Sequence, residues 1–119
     1  DDKIVPLPVS DLLWRLALPE GADRDHPFCN PLKGSRPYPE VLRRFPATMV
    51  AVEGLDPLLD RQLEFVKMLQ EAGVQVEQRM DPTGSHGVEL LDMAKAETLC
   101  RDISNFMSSS FVTPSTSSL

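Results

Sequence analysis

The stretch ATMVAVEGLDPLLDRQLEFVKMLQEAGVQVEQRM, residues 47–80, decides the fold of this chain. Its first part, ATMVAVEG (47–54), is a continuous apolar run that ends in glycine, which is typical of a strand buried on both faces of a parallel sheet. DPLLDRQLEFVKMLQEAG (56–73) has apolar residues at helical spacing, and VQVEQRM (74–80) alternates as a strand nearer a sheet edge does. This order predicts a right-handed βαβ unit with two neighbouring parallel strands.

The helix of this unit carries signals for both of its ends. Asp56 is an N-cap candidate, Pro57 fits the first helical position, and Asp60 places an anion in the first turn. Gly73 is the expected residue just after the helix ends. We expect one apolar face to be buried and one charged face to be solvated. The apolar face comprises Leu59, Leu63, Val66 and Leu69, and the charged face comprises Arg61, Glu64, Lys67 and Glu71.

Two segments precede the βαβ unit. VSDLLWRLALPEG (9–21) predicts a short apolar helix that Ser10 or Asp11 caps and that its Pro-Glu-Gly end terminates. ADRDHPFCNPLKGSRPYPE (22–40) is rich in proline and polar residues, which predicts an ordered loop.

The chain continues after the unit with a turn, DPTGSHG (81–87), and a last helix that Asp92 is expected to cap. The apolar positions of that helix recur at helical spacing; they are Ala96, Leu99, Cys100, Ile103, Phe106 and Met107. Two parallel strands cannot form an independently stable sheet, so we expect residues 1–107 to be the carboxyl-terminal part of a larger α/β fold. The Ser/Thr-rich residues 108–119 are expected to form a flexible tail.

Composition excludes several classes of function. The 119 residues carry a net charge of -6 and no basic run interleaved with aromatic residues, which argues against a nucleic-acid partner. No apolar stretch approaches the roughly 20 residues that span a bilayer, and the first residues lack the pattern of a signal peptide. The chain does not begin with methionine, so we expect it to start inside a longer protein.

The two cysteines, Cys29 and Cys100, have neither metal-ligand nor disulfide-motif spacing. We interpret them as free thiols in a reducing compartment, serving as small buried apolar residues, and we expect no metal or cofactor. Cytosol is therefore the expected location. The final residues, Ser117 to Leu119, faintly resemble a peroxisomal address but lack its lysine.

Two polar residues follow the two strands of the βαβ unit. Asp56 follows the first strand and His86 follows the second, 30 residues later. Because the carboxyl ends of neighbouring parallel strands meet at one sheet edge, the two side chains are expected to lie together, with the acid orienting the imidazole as a base. Two structural alternatives remain open from the residues alone: Asp56 as a helix cap and His86 as an ordinary turn residue.

A nucleophile is missing from this constellation. No G-x-S-x-G motif and no glycine-rich oxyanion loop occurs in the sequence. Ser85 is adjacent to His86 and is expected to point away from it, while Ser10, Ser35 and the cysteines lack the strand–turn–helix context of a nucleophile. We therefore expect this chain alone to be inactive toward esters.

Three stretches resemble the carboxyl-terminal part of plant carboxylesterases, in the hormone-sensitive-lipase-like branch of the α/β-hydrolases. They are DLLWRLALPEGADRDHPFCNPL (11–32), ATMVAVEGLDPLLDRQLEFVKMLQEAG (47–73) and GSHGVELLD (84–92). The resemblance covers the chain from about residue 1 to Met107. It implies an α/β-hydrolase fold whose oxyanion loop and nucleophile lie upstream of Asp1.

The resemblance also assigns roles to residues. It implies that Asp56 is the triad acid and His86 the triad base, and that Leu13 and Trp14 border the substrate pocket. Ordinary core packing is the alternative for Trp14. The loop residues around His26 are expected to be structural, with Arg24 paired to a neighbouring aspartate. Val88 stands where many relatives have an aromatic residue, which affects packing under the turn.

The function that this resemblance implies is a serine carboxylesterase acting on small esters, with the rest of the same protein as the partner of this chain. A hormone receptor of the gibberellin-receptor type is one alternative. That type of receptor has lost the triad histidine, whereas this chain has His86 at the corresponding position. A dehydratase or transesterase acting on plant secondary metabolites is another. The oligomeric state is left open.

Overall fold

The structure is a computed structural model that describes residues 4–35 and 39–110. Within these two ranges the elements are five α-helices and two β-strands, together with one 3₁₀ turn. In chain order they are α1 (Leu7–Ala17), α2 (Pro31–Ser35), α3 (Pro39–Leu42), β1 (Thr48–Glu53), α4 (Leu59–Glu71), β2 (Val76–Asp81), the 3₁₀ turn (Val88–Leu90) and α5 (Met93–Ser110). The chain divides after Gly87 into two compact units, the first ending with that residue and the second beginning at Val88.

The first unit contains the predicted βαβ arrangement. Strands β1 and β2 pair in parallel, in a register that runs from Thr48 opposite Val76 to Glu53 opposite Asp81. Helix α4 connects them, and the two strands end level with each other. This arrangement confirms the α/β prediction and brings the loops after both strands to the same sheet edge.

A small apolar core lies between α4 and the sheet. Leu69 is fully buried, and Leu42 and Val74 are nearly so. Val66 and Val52 are buried as well, at 3% and 0% exposure. The partly buried residues packed against this core are Val50, Phe65, Met68, Ala72 and Val76.

Two residues that the pattern assigned to the buried side are exposed in this structure. Leu63 of α4 is 36% exposed and Met80 of β2 is 42% exposed. The sheet in the described residues has two strands, so it covers a narrower stripe of its neighbours than a full sheet does. The charged face was predicted correctly, since Arg61, Glu64 and the remaining charged positions are exposed.

The beginnings of two helices differ from the prediction. Helix α1 starts at Leu7 with Pro6 as its N-cap residue, so Ser10 and Asp11 lie inside the helix and do not cap it. Helix α4 starts at Leu59, with Leu58 as the cap residue and no side-chain capping bond. Proline residues start α1 because their fixed φ suits the first helical turn.

The segment 22–40 is more regular than predicted, because α2 and α3 lie within or beside it. The expected pairing of Arg24 is wrong: it binds Asp11 on α1, while Asp25 binds Lys33 on α2. His26 does form part of the loop, since its Nδ1 accepts a hydrogen bond from the Phe28 N–H at 3.3 Å.

The thiol prediction holds in part. Cys29 and Cys100 are both free, as expected. Cys29 is only half-buried and Cys100 is exposed, so the interpretation as buried apolar residues is wrong for Cys100.

The second unit is described through Ser110. Asp92 caps α5, because its Oδ1 accepts hydrogen bonds from the backbone N–H groups of Ala94 (3.0 Å) and Lys95 (3.2 Å). Helix α5 extends through Ser110 and so includes the first three residues of the expected tail. Residues 111–119, including the three terminal residues compared with a peroxisomal address, lie outside the described part of the chain.

Within residues 4–35 and 39–110, no helix combines the length and the apolar character that crossing a membrane requires.

Candidate active site

The loops that follow β1 and β2 are tied to each other by backbone hydrogen bonds. The Gly54 N–H donates to the Asp81 carbonyl at 2.8 Å, and the Leu55 N–H donates to the Gly84 carbonyl at 2.8 Å. These bonds continue the parallel ladder past the last paired residues of the strands. They hold the loop that contains Asp56 against the loop that contains His86.

Gly84 is required by the close approach of these loops. A Cβ atom at this position would lie 1.5 Å from Oε2 of Glu53 and 2.6 Å from its Cδ. Glu53 is itself 6% exposed. A larger residue at this position would require the end of the Glu53 side chain to move.

A nearly buried ion pair lies beneath the two loops. Arg79 Nη1 is 3.1 Å from Glu53 Oε1, and the two side chains are 12% and 8% exposed. The register places Ala51 opposite Arg79 and Glu53 opposite Asp81, so Glu53 and Arg79 lie diagonally across the strand pair. The pair therefore links the ends of the two strands that precede the loops of Asp56 and His86.

Asp56 is almost completely enclosed, with 3% of its side chain exposed. Its Oδ1 accepts the N–H of Leu58 at 2.7 Å, and its Oδ2 accepts Nε2 of Gln62 at 2.8 Å. The side chain is therefore held in one orientation, although it does not cap α4 as predicted.

His86 lies against the same carboxylate. Its Nδ1 is 3.0 Å from Oδ2 of Asp56, and 35% of its side chain is exposed. Gly87 follows with a φ of 63°, so the chain turns through a conformation that favours glycine. The predicted meeting of Asp56 and His86 at one sheet edge is thus present in this structure.

The hydrogen bond determines which tautomer of neutral His86 fits. An ionised carboxylate can only accept hydrogen bonds, so Nδ1 carries the proton in this contact. The second ring nitrogen, Nε2, then carries the lone pair of the neutral imidazole. This arrangement has the geometry that lets an aspartate orient a histidine as a general base.

A cleft of about 1130 Å³ opens beside this pair. Its lining includes Asp56 and His86 and also Leu13 and Trp14 of α1, the two residues expected to border a pocket. Trp14 is half-buried, so it serves as a wall residue of this cleft and not as part of the enclosed core. Most of the lining is apolar, which suits a ligand with substantial apolar surface.

Three features of the site were not predicted from the sequence. Gln62 contacts Asp56 directly, and the Glu53–Arg79 pair and Gly84 shape the loops. A signal for the ion pair was available, because a glutamate ends an otherwise apolar strand and an arginine interrupts the next one. Gln62 carried no such signal, since helix positions near the start of α4 are polar for many reasons. Among residues 4–35 and 39–110, no group of three or more metal-ligating side chains is assembled.

The alpha/beta hydrolase fold family matches the chain over residues 1–90. The chain is similar to "Probable carboxylesterase 8" of Arabidopsis thaliana, at 48% identity over 110 residues that cover 92% of this chain and 33% of that protein. It is similar to "3-O-acetylpapaveroxine carboxylesterase CXE2" of Papaver somniferum, at 40% identity over 112 residues, 90% of this chain and 35% of that protein.

A third similarity is shorter. "Gibberellin receptor GID1B" of Arabidopsis thaliana is 47% identical over 66 residues, which cover 56% of this chain and 18% of that protein. The chain spans about a third of the length of the carboxylesterases it matches. The predicted resemblance to plant carboxylesterases is confirmed by these similarities.

Proposed function

The chain belongs to the alpha/beta hydrolase fold family, and we propose that it supplies the acid and the base of the catalytic triad of a serine carboxylesterase. In this proposal the nucleophilic serine and the oxyanion-hole donors come from other parts of the complete protein. Relatives named as carboxylesterases support ester hydrolysis as the activity of the family.

The observation that carries the proposal is the contact of 3.0 Å between His86 Nδ1 and the buried Asp56 Oδ2. During attack on an ester carbonyl, Nε2 of His86 takes the proton of the serine hydroxyl and later returns it to the leaving alcohol. Asp56 keeps the imidazole in the required tautomer and stabilises the imidazolium that forms. The serine–carbonyl bond forms in the first step, the carbonyl–alcohol bond breaks in the second, and water then releases the acid.

The cleft supports small esters with an apolar part as the substrate class. Leu13 and Trp14 form its wall on α1, and Leu55 and Phe65 add apolar surface near the dyad. Such walls bind an acyl or alcohol group through burial of apolar surface, while Asp56 and His86 supply polar groups in the same cleft.

The test is done in the complete protein and compares substitutions of the two histidines that this chain contains. His86→Ala is expected to lower kcat/KM for p-nitrophenyl acetate by about 10³-fold or more, because removing a triad base leaves only binding and oxyanion stabilisation. His26→Ala is the matched control, since His26 lies in the loop with Phe28, and it should retain activity within a few-fold. Equal activity of His86→Ala and the unmodified protein contradicts the proposal.

The similarity to a gibberellin receptor favours one second candidate, a small-ligand receptor that uses the same cleft. Saturable binding of a hormone by the complete protein, without turnover of any ester, would support it. A dehydratase or transesterase using the same acid and base is distinguished from a hydrolase by the products, since only hydrolysis consumes water.

A further inference from the structure

Gln62 makes a contact that the proposed triad chemistry leaves unexplained. Its side chain bridges the end of β1 and the carboxylate of Asp56: Oε1 accepts the backbone N–H of Glu53 at 3.3 Å, and Nε2 donates to Oδ2 at 2.8 Å. We propose that Gln62 is a positioning residue for the triad acid, a role that rests on the proposed function.

The chemistry of its two partners sets the orientation of the Gln62 amide. The Glu53 N–H can only donate, so it requires the amide oxygen, and the ionised Asp56 carboxylate can only accept, so it requires the amide nitrogen. Reversing the amide would lose both hydrogen bonds at once. The donor is therefore held toward Asp56 by a bond to the backbone of the neighbouring strand.

One helical turn holds both oxygens of the carboxylate. The Leu58 N–H binds Oδ1 of Asp56 at 2.7 Å, and the Gln62 amide binds Oδ2 at 2.8 Å. The Gln62 N–H also donates to the Leu58 carbonyl at 2.9 Å, which fixes the spacing of the two donors. With only the Leu58 bond, the carboxylate could pivot about Oδ1, and Oδ2 is the oxygen that His86 contacts.

A purely structural role for Gln62 makes a different prediction. If the side chain only ties α4 to β1, replacing it weakens the fold but leaves the Asp56–His86 hydrogen bond intact in molecules that remain folded. If it positions Asp56, replacing it loosens that hydrogen bond and slows the acid–base steps. Errors in positioning of about 1 Å cost up to about 10²-fold in rate.

The experiment compares two Gln62 variants with a matched control in the complete protein. Gln62→Leu removes both hydrogen bonds without adding charge, and Gln62→Glu keeps the acceptor for the Glu53 N–H but loses the donor when ionised. Gln70→Glu is the control, because Gln70 is an exposed glutamine on the same helix. We expect kcat for p-nitrophenyl acetate to fall about 10- to 100-fold in both Gln62 variants, with KM within about threefold, and to stay unchanged in the control.

A second readout does not depend on turnover. The proton on His86 Nδ1 should give a downfield ¹H NMR resonance in the complete protein, assigned by its loss in His86→Ala. We expect Gln62→Leu to move this resonance upfield or broaden it, and Gln70→Glu to leave it in place.

The outcomes separate the two proposals. If the unmodified protein lacks esterase activity but its resonance still depends on Gln62, the proposed function is contradicted, while the orientation of Asp56 by Gln62 stands as a structural contact. Normal kcat together with an unchanged resonance in folded Gln62→Leu overturns the role of Gln62 and leaves the triad assignment untouched.

Discussion

Substituting Gly84 by alanine tests whether the close packing beneath the two loops stabilises the site. The added Cβ would lie 1.5 Å from Oε2 of Glu53, and real Cβ atoms essentially never come closer than 3.0 Å. Glu53 must therefore move by about 1.5 Å or more. The moving atom is Oε2, and its displacement disturbs the neighbouring Oε1, which lies 3.1 Å from Nη1 of Arg79.

The expected loss in the free energy of unfolding follows from the cost of the added methyl group. Overpacking a close-packed site costs about 1–3 kcal/mol, and Gly84→Ala leaves both members of the Glu53–Arg79 pair in place. Because the collision is with the end of a side chain that is itself only 8% exposed, we expect a loss of about 1–3 kcal/mol in the free energy of unfolding. Gly84 is not among the described glycines that have a positive φ, so its backbone conformation adds no strain when the residue is alanine.

A double-mutant cycle identifies the cause. In a Glu53→Ala background the atoms that collide with the new Cβ are gone, so Gly84→Ala should then cost less than about 1 kcal/mol. Urea unfolding of the complete protein measures the free energy for the unmodified protein, both single variants and the double variant. If the two substitutions add within about 0.5 kcal/mol, the proposed collision with Glu53 is refuted.

Two further predictions concern other parts of the first unit. Leu69→Ala should lower the free energy of unfolding by about 2–5 kcal/mol, because Leu69 is fully buried. Leu63→Ala should cost far less, because Leu63 is 36% exposed. Equal losses of the free energy of unfolding, measured with urea, would contradict the described core. Lys33 donates a hydrogen bond that lowers the pKa of Asp25, and Asn30 makes a smaller contribution. The pair between Lys33 and Asp25 therefore stabilises the loop at pH values above the ordinary pKa of an aspartate. This stabilisation is lost as the pH falls through the lowered pKa of Asp25. Lys33→Ala should therefore raise the pKa of Asp25 toward its ordinary value in an NMR titration, and an unchanged titration would exclude the pairing.

The βαβ unit could be predicted from the sequence because all three of its signals are local. A continuous apolar strand, a helix of regular spacing and an alternating strand follow one another within residues 47–80, and parallel pairing then follows from the length of the crossover. The same reasoning brought Asp56 and His86 together, since the ends of neighbouring parallel strands share one edge.

The details that were not predicted depend on contacts between distant residues. The partner of Arg24 is Asp11 and not an adjacent aspartate, because α1 and the following loop approach each other in space. The contact between Gln62 and Asp56 depends on where α4 begins, which is two residues later than Pro57 suggested. Helix boundaries of this kind are set by tertiary packing as much as by propensity.

The assignment of a nucleophile could not come from this sequence at all. A histidine and an aspartate at strand ends have structural explanations as well as catalytic ones, and only a third group would decide between them. The resemblance to carboxylesterases supplied that context, and the hydrogen bond between Asp56 and His86 is the physical observation that fits it.

The most direct test of the acid–base assignment compares Asp56 with Asp60 in the complete protein. Asp56 is buried against His86, whereas Asp60 lies exposed in the first turn of α4. The account predicts that Asp56→Asn lowers kcat for p-nitrophenyl acetate by about 10⁴-fold, because an amide facing Nδ1 favours the wrong imidazole tautomer. Asp60→Asn should change kcat by less than about threefold, as expected of an exposed surface residue. Similar kcat values for the two variants would contradict the assignment of Asp56 as the residue that orients His86.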